Sequence, residues 1–116
     1  MKRNPIITDA SEEKLSQWAA TAHYEANKLA AMCHLSVRQL EREFRLRFAR
    51  SPQDWLNKQR LEASQELLLS GLPVKKVAIE LGFKQASHFN RQFKLQYNVT
   101  PGRFADSDLA RIVAQG

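Results

Sequence analysis

Cysteine is nearly missing from this chain of 116 residues, with Cys33 standing alone. A single thiol cannot close an internal disulfide, which excludes a disulfide-stapled fold and fits a reducing compartment. Glycine and proline are scarce as well, at four each, and they fall between helical periods rather than inside them. The chain therefore reads as all-helical. No apolar run approaches the roughly eighteen residues that would read as a membrane span. The opening Met1-Lys2-Arg3-Asn4 leads on to polar Thr8-Asp9-Ala10-Ser11, not to an apolar signal core. A soluble, cytoplasmic protein is expected.

Catalytic and metal-binding patterns are also lacking. No nucleophile stands at a workable spacing from a base, and no glycine-rich phosphate loop is present, so an enzyme is not expected. His23, His34 and His88 are scattered and lack cysteine or carboxylate company, so neither a metal nor another cofactor is expected. The length suffices for one compact domain, or for two small subdomains sharing a helix.

Acidic residues are in the minority, 12 against 18 Lys and Arg, which gives a net charge of +6. Residues 1–25 are balanced, with Lys2, Arg3 and Lys14 against Asp9, Glu12, Glu13 and Glu25. Residues 26–60 carry eight basic side chains against Glu41, Glu43 and Asp54. Residues 71–103 carry Lys75, Lys76, Lys84, Arg91, Lys94 and Arg103 against Glu80 alone. Positive charge concentrated in two stretches favours a nucleic-acid partner.

Those two stretches are copies of one pattern. Lys28-Leu29-Ala30 corresponds to Lys76-Val77-Ala78, and Cys33-His34-Leu35 to Leu81-Gly82-Phe83. With one extra residue in the second turn, Leu40, Arg42, Phe44, Leu46, Phe48 and Pro52 fall on Phe89, Arg91, Phe93, Leu95, Tyr97 and Pro101. Each copy is a short apolar helix, a turn and a longer helix. A duplicated unit of this kind points to a two-headed reader of double-stranded DNA.

Local signals place the elements. Ser11 caps a helix whose first turn holds Glu12 and Glu13, with Leu15, Trp18, Ala19 and Ala22 at helical spacing. A short helix is expected over 24–34, with Leu29, Ala30 and Cys33 inward, and Ser36 caps the next. Ser51-Pro52 opens a long helix that Gly71 ends and Pro73 prevents from continuing. Its expected inward stripe is Trp55 or Leu56, Gln59 or Arg60, Ala63, Leu67 and Leu68. About nineteen residues make a rod of roughly 28 Å, suitable beside the roughly 34 Å between successive major grooves. A short helix over 74–81, a second long helix from Gln85 or Ala86 to Tyr97 and a last one opened by Thr100-Pro101 follow. One more turn is expected from Asp106 or Ser107 to Ala114.

Each long helix carries two stripes. Val37, Leu40, Phe44 and Phe48 share one face, and Arg38, Glu41, Arg42 and Arg45 another. In the second copy Ala86, Phe89, Phe93 and Tyr97 lie inward, and Ser87, Asn90, Arg91 and Lys94 outward. Arg pairs with guanine and Asn with adenine, while Ser, His and Glu read other edges. Side chains further along, Arg45 and Lys94, suit phosphates, as does Lys84.

Arg60-Leu61-Glu62-Ala63, Leu67-Leu68, Val77-Ala78, Leu81-Gly82-Phe83, the run Ser87 to Lys94 and Thr100-Pro101 together resemble the DNA-binding domain of AraC/XylS-family transcription regulators. The resemblance covers about residues 10–105. It implies an all-α fold of about seven helices, with two helix-turn-helix subdomains joined by a long central helix. The expected limits are a flexible segment at 1–9, subdomains at 10–50 and 72–105, a connecting helix at 51–71, and a C-terminal helix or tail at 106–116. The resemblance also implies base reading by Arg38, Gln39, Glu41 and Arg42 on a helix at about 36–48. On the second, at about 85–97, it implies Gln85, Ser87, His88, Asn90 and Arg91.

The implied function is a sequence-specific regulator, an activator by the family's commoner habit, that docks as a monomer across two adjacent major grooves. It would then present a surface to RNA polymerase. No small-molecule effector site is expected within this chain. Asn98 stands where the family usually has glycine, and Gly71-Leu72-Pro73 replaces a Ser/Thr cap. Glu41 either accepts from cytosine or orients Arg38 or Arg45. Some proteins carrying this domain repair alkylated DNA through a cysteine, but Cys33 aligns with the inward Leu81 and reads as core. Two other readings stay open: a non-specific architectural DNA binder, and a protein-interaction module that kept the fold without DNA contact.

Overall fold

The computed structural model describes residues 7–107. Among them the regular secondary structure is entirely helical: α1 (Glu12–Thr21), α2 (Ala26–Met32), α3 (Val37–Phe48), α4 (Pro52–Leu69), α5 (Val74–Glu80), α6 (Ala86–Tyr97) and α7 (Pro101–Ala105). The all-α expectation of about seven helices holds. The chain divides into two compact units between Arg60 and Leu61, inside α4. The helix expected as a connector is thus part of both units.

In the first unit α1, α2, α3 and the start of α4 enclose a core built on Leu15, Ala19, Leu29, Leu40, Phe44 and Leu56. Phe44, Phe48 and Trp55 form a ring cluster with centroids 5.3–5.4 Å apart, a geometry that adds to simple area burial. Cys33 is buried, as its alignment with Leu81 predicts, and that burial pushes its thiol pKa up. Trp18 is half-buried against the same core. The expected flexible segment 1–9 needs correcting where it is described. Residues 1–6 lie outside the described range, but Ile7 is fully buried in the core.

Residues 7–10 are fastened to α3. The Arg47 guanidinium donates to the carbonyl oxygens of Ile7 and Ala10. The Thr8 amide and hydroxyl both donate to Glu43 Oε1 at 3.4 Å. Arg47 and Glu43, charged in sequence, are therefore half-buried structural side chains.

The second unit packs α5, α6 and α7 with the second half of α4. Val77, Ala78, Leu81, Phe83, Phe89 and Phe93 are buried. Rings run in series from Phe83 to Phe89 (5.0 Å), Phe93 (5.8 Å) and Tyr97 (4.7 Å), with Phe104 also 5.5 Å from Phe93. Along α4 both Trp55 and Leu56 are buried, followed by Leu61, Ser64 and Leu68. The expected stripe omitted Leu61 and Ser64 because it assumed one face for the whole helix. Ser64 is accommodated by donating its hydroxyl to the Leu61 carbonyl.

Helix ends explain the remaining boundaries. Tyr24 and His23 take left-handed backbone, φ 59° and 54°. Their amides return to the carbonyls of Ala19 and Ala20 at 2.9 and 3.0 Å, a Schellman closure of α1. Tyr24 therefore cannot begin α2, which starts at Ala26, two residues later than expected. Glu25 gives α2 no side-chain cap. Gln53 of α4 supplies one, accepting from the Ala26 amide at 3.0 Å while donating to the Tyr24 carbonyl at 2.9 Å.

The same closure ends α2, where Leu35 and His34 return to Ala30 and Ala31, and α5, where Phe83 and Gly82 return to Ala78 and Ile79. His34 (φ 57°) thus does in the first copy what Gly82 (φ 81°) does in the second. Gly71, at φ 97°, closes α4. Ser51, Ser36 and Thr100 cap α4, α3 and α7 by accepting the amides of Asp54, Gln39 and Arg103. The C-terminal turn expected to reach Ala114 lies outside the described residues beyond Ser107.

Candidate nucleic-acid interface

The outward face of α3 is fixed from both ends. At its start a full capping box forms: the Gln39 amide donates to Ser36 Oγ at 3.0 Å, and the Ser36 amide donates to Gln39 Oε1 at 2.8 Å. At its end Ala49 turns left-handed at φ 57°. Between them Leu40 and Phe44 are fully buried, which locks the rotation of the helix about its axis. Arg38, Glu41, Arg42 and Arg45 are left exposed together on the opposite side.

With Ser36 and Gln39 these four line one surface recess. The structure thus brings together every first-copy residue singled out from sequence. Two details differ. Gln39 commits its carbonyl oxygen to the capping box, so its Nε2 group is the part left to meet a ligand. Val37, expected inward, is 44% exposed, because at the first helical position it lies above the core rather than against it. Glu41 makes no ion pair with Arg38 or Arg45 among the described residues.

On α6 the pattern repeats with less capping. Gln85 is the N-cap, in extended conformation and without a side-chain cap bond. Ser87 Oγ donates to Gln85 Oε1 at 3.4 Å, coupling two of the proposed readers. Phe89 and Phe93 are fully buried, and Asn98 ends the helix at φ 62°. Asn therefore tolerates the left-handed position where the family resemblance leads one to expect glycine. Gln85, Ser87, His88, Arg91 and Lys94 are exposed, as is Lys84 in the preceding turn, while Asn90 is half-buried. His88 stands edge-on to Phe83 at 5.6 Å, so its ring orientation is set by the core beneath it.

Three neighbours of these faces, Arg47, Leu46 and Leu95, carry no functional signal in the sequence. Arg47, which composition counts among the basic residues, is turned away to hold residues 7–10. Leu46 and Leu95, matched in the duplication, are each 72% exposed. Their equivalence was visible in the sequence, but their exposure was not.

A family model described as a helix-turn-helix domain matches residues 29–107. The chain is 36% identical over 83 residues to the HTH-type transcriptional regulator MtrA of Neisseria gonorrhoeae, covering 70% of this chain and 27% of that protein. It is 34% identical over 68 residues to the HTH-type transcriptional activator RhaS of Escherichia coli, covering 58% and 24%. The chain thus spans about a quarter of the length of these curated relatives. Among solved structures it resembles the DNA-binding domain of AdpA, in complex with a target DNA, with a TM-score of 0.73 and 27% identity. That match covers 85% of this chain and 93% of the other.

Proposed function

This chain belongs to the helix-turn-helix family of AraC-type regulators, and on that premise we infer that it reads duplex DNA with α3 and α6, each entering a major groove. The observation that carries the reading is the duplicated outward face. Arg38, Glu41, Arg42 and Arg45 on α3 match Ser87, Asn90, Arg91 and Lys94 on α6, over inward residues that are buried in both copies. A helix whose rotation is locked by its core presents the same side chains each time it docks, which base recognition requires.

The roles follow from side-chain chemistry. Arg42 and Arg91 offer bidentate forks to guanine, Asn90 suits adenine, and Glu41 accepts from a cytosine amine. Arg38, Gln39, Gln85, Ser87 and His88 complete the reading sets. Arg45, Lys84 and Lys94 meet phosphates. The two helices address successive grooves on one face of the duplex, and the chain docks as a monomer in the cytoplasm. The kinship to RhaS, whose name describes an activator, supports activation through a surface offered to RNA polymerase.

The test is selection of bound duplexes from a random pool with this chain, followed by affinity measurement across salt concentrations. A defined consensus in two blocks is expected, and docking through about six phosphates gives a log–log salt slope near −5. Equal affinity for selected and random duplexes would leave a non-specific binder. Binding without salt dependence would leave a protein-interaction module.

A further inference from the structure

Leu46 and Leu95 are equivalent residues, one helical turn beyond Arg42 on α3 and beyond Arg91 on α6, and each is 72% exposed. Residues four apart on a helix lie side by side, so each leucine adjoins the arginine that anchors its reading face. The faces they sit on are otherwise polar: α3 carries Arg38, Glu41, Arg42 and Arg45, and α6 carries Ser87, Asn90, Arg91 and Lys94. Single exposed leucines are ordinary on protein surfaces. The same apolar residue, at the same position and equally exposed, on two helices whose outward faces have diverged at Arg38/Ser87 and Glu41/Asn90 and otherwise keep only basic side chains (Arg42/Arg91, Arg45/Lys94), is a different observation. Arg38 faces Ser87 in the alignment and Glu41 faces Asn90, but Leu is kept.

We propose that Leu46 and Leu95 each pack on a thymine C5-methyl group, one in each half of the DNA site. The assignment rests on the DNA reading above. Once α3 or α6 lies in a major groove, the base edges offer hydrogen-bond donors and acceptors and one apolar group, the thymine methyl. An apolar side chain on the groove-facing side therefore has one partner among the bases that it can cover without stranding a polar atom. The thymine methyl stands toward the wall of the groove. A side chain on the third turn, beyond the deepest residues, is directed to that wall. The neighbouring arginine holds the helix by charge, and the leucine adds discrimination of thymine from cytosine at the adjacent step.

The test uses the duplex selected by this chain. Each thymine is replaced singly by deoxyuridine, which removes the methyl group and leaves pairing intact. Affinities are measured for the unaltered chain, Leu46→Ala and Leu95→Ala. Both leucines are exposed, so both variants fold, and circular dichroism checks this. The unaltered chain is expected to lose about three- to tenfold in affinity at one thymine in each half, as for removal of one buried methyl group. Leu46→Ala should lose that sensitivity in one half only, and Leu95→Ala in the other. Uridine sensitivity that persists unchanged in both variants, or is absent from the unaltered chain bound to its duplex, would overturn the assignment while leaving DNA reading intact. Failure to bind any duplex would overturn both.

Discussion

The guanidinium of Arg47 donates to the carbonyl oxygen of Ile7, and with its second contact to Ala10 it ties the chain ahead of α1 to α3. One side of α3 thus carries the candidate readers and another holds a neighbouring segment. Arg47→Ala should lower stability by about 1.5–3 kcal/mol, the range for hydrogen bonds from a charged donor. Denaturant unfolding measures this. Arg47 is turned from the reading face, so the salt slope of DNA binding should stay unchanged. A slope shallower by about one would instead place Arg47 among the phosphate contacts.

Arg42 and Arg91 are the basic pair kept identical on both outward faces. Arg42→Ala and Arg91→Ala should each weaken binding by about 1–3 kcal/mol and relax specificity in different halves of the selected site. Titration of half-site variants of the duplex separates the two. Unchanged binding by Arg91→Ala at moderate salt would leave α3 as the single reading head.

Phe93 touches Phe89, Tyr97 and Phe104, all with centroids within 5.8 Å, and is fully buried. Phe93→Ala should cost about 3–5 kcal/mol through the cavity it leaves. The loss should appear in thermal or denaturant unfolding. The order of preference among duplexes, measured where the variant stays folded, should not change.

Ala49 holds left-handed backbone at φ 57° on an exposed surface. A β-carbon there costs roughly 1–2 kcal/mol, of which glycine's greater unfolded-state freedom takes back about 0.4–1. Ala49→Gly should therefore stabilise the protein by about 0.5–1 kcal/mol. Gly71→Ala should act in the opposite direction. Open space surrounds Gly71, so its cost arises from φ 97° alone and not from a clash.

Burial raises the pKa of both tyrosines above the ordinary value of about 10. The Arg60 charge partly opposes this at Tyr24, and Glu62 adds to it at Tyr97. A folded-state pKa above the unfolded one contributes stability that is complete below pH about 10. That stability is lost as pH rises through the raised values. Ultraviolet titration of the folded chain should show both phenols ionising later than in denaturant. The Tyr97 hydroxyl is buried without a hydrogen-bond partner among the described residues. Tyr97→Phe should consequently keep or raise stability, by up to about 1 kcal/mol.

The helices and both faces of α3 and α6 were legible in sequence because amphipathic period, caps and duplication all pointed the same way. Ser36, Ser51 and Thr100 cap where their sequence contexts predict. What escaped was decided by contacts distant in the chain. Gln53 caps α2 from 27 residues away, and Arg47 reaches back 40 residues to Ile7. Neither leaves a local trace. Leu61 and Ser64 were missed because α4 buries different sides in its two halves, which a single-stripe reading cannot represent.

The left-handed residues Ala49 and Asn98 stop α3 and α6 after 12 residues each. Twelve residues at 1.5 Å extend about 18 Å, and stacked base pairs lie about 3.4 Å apart. Each helix can therefore lie along no more than about five base pairs. In the proposed reading of DNA, the turn that ends each helix thus caps the length of the word that head can spell. A longer site selected from a random duplex pool is then expected to resolve into two short words, one for each helix.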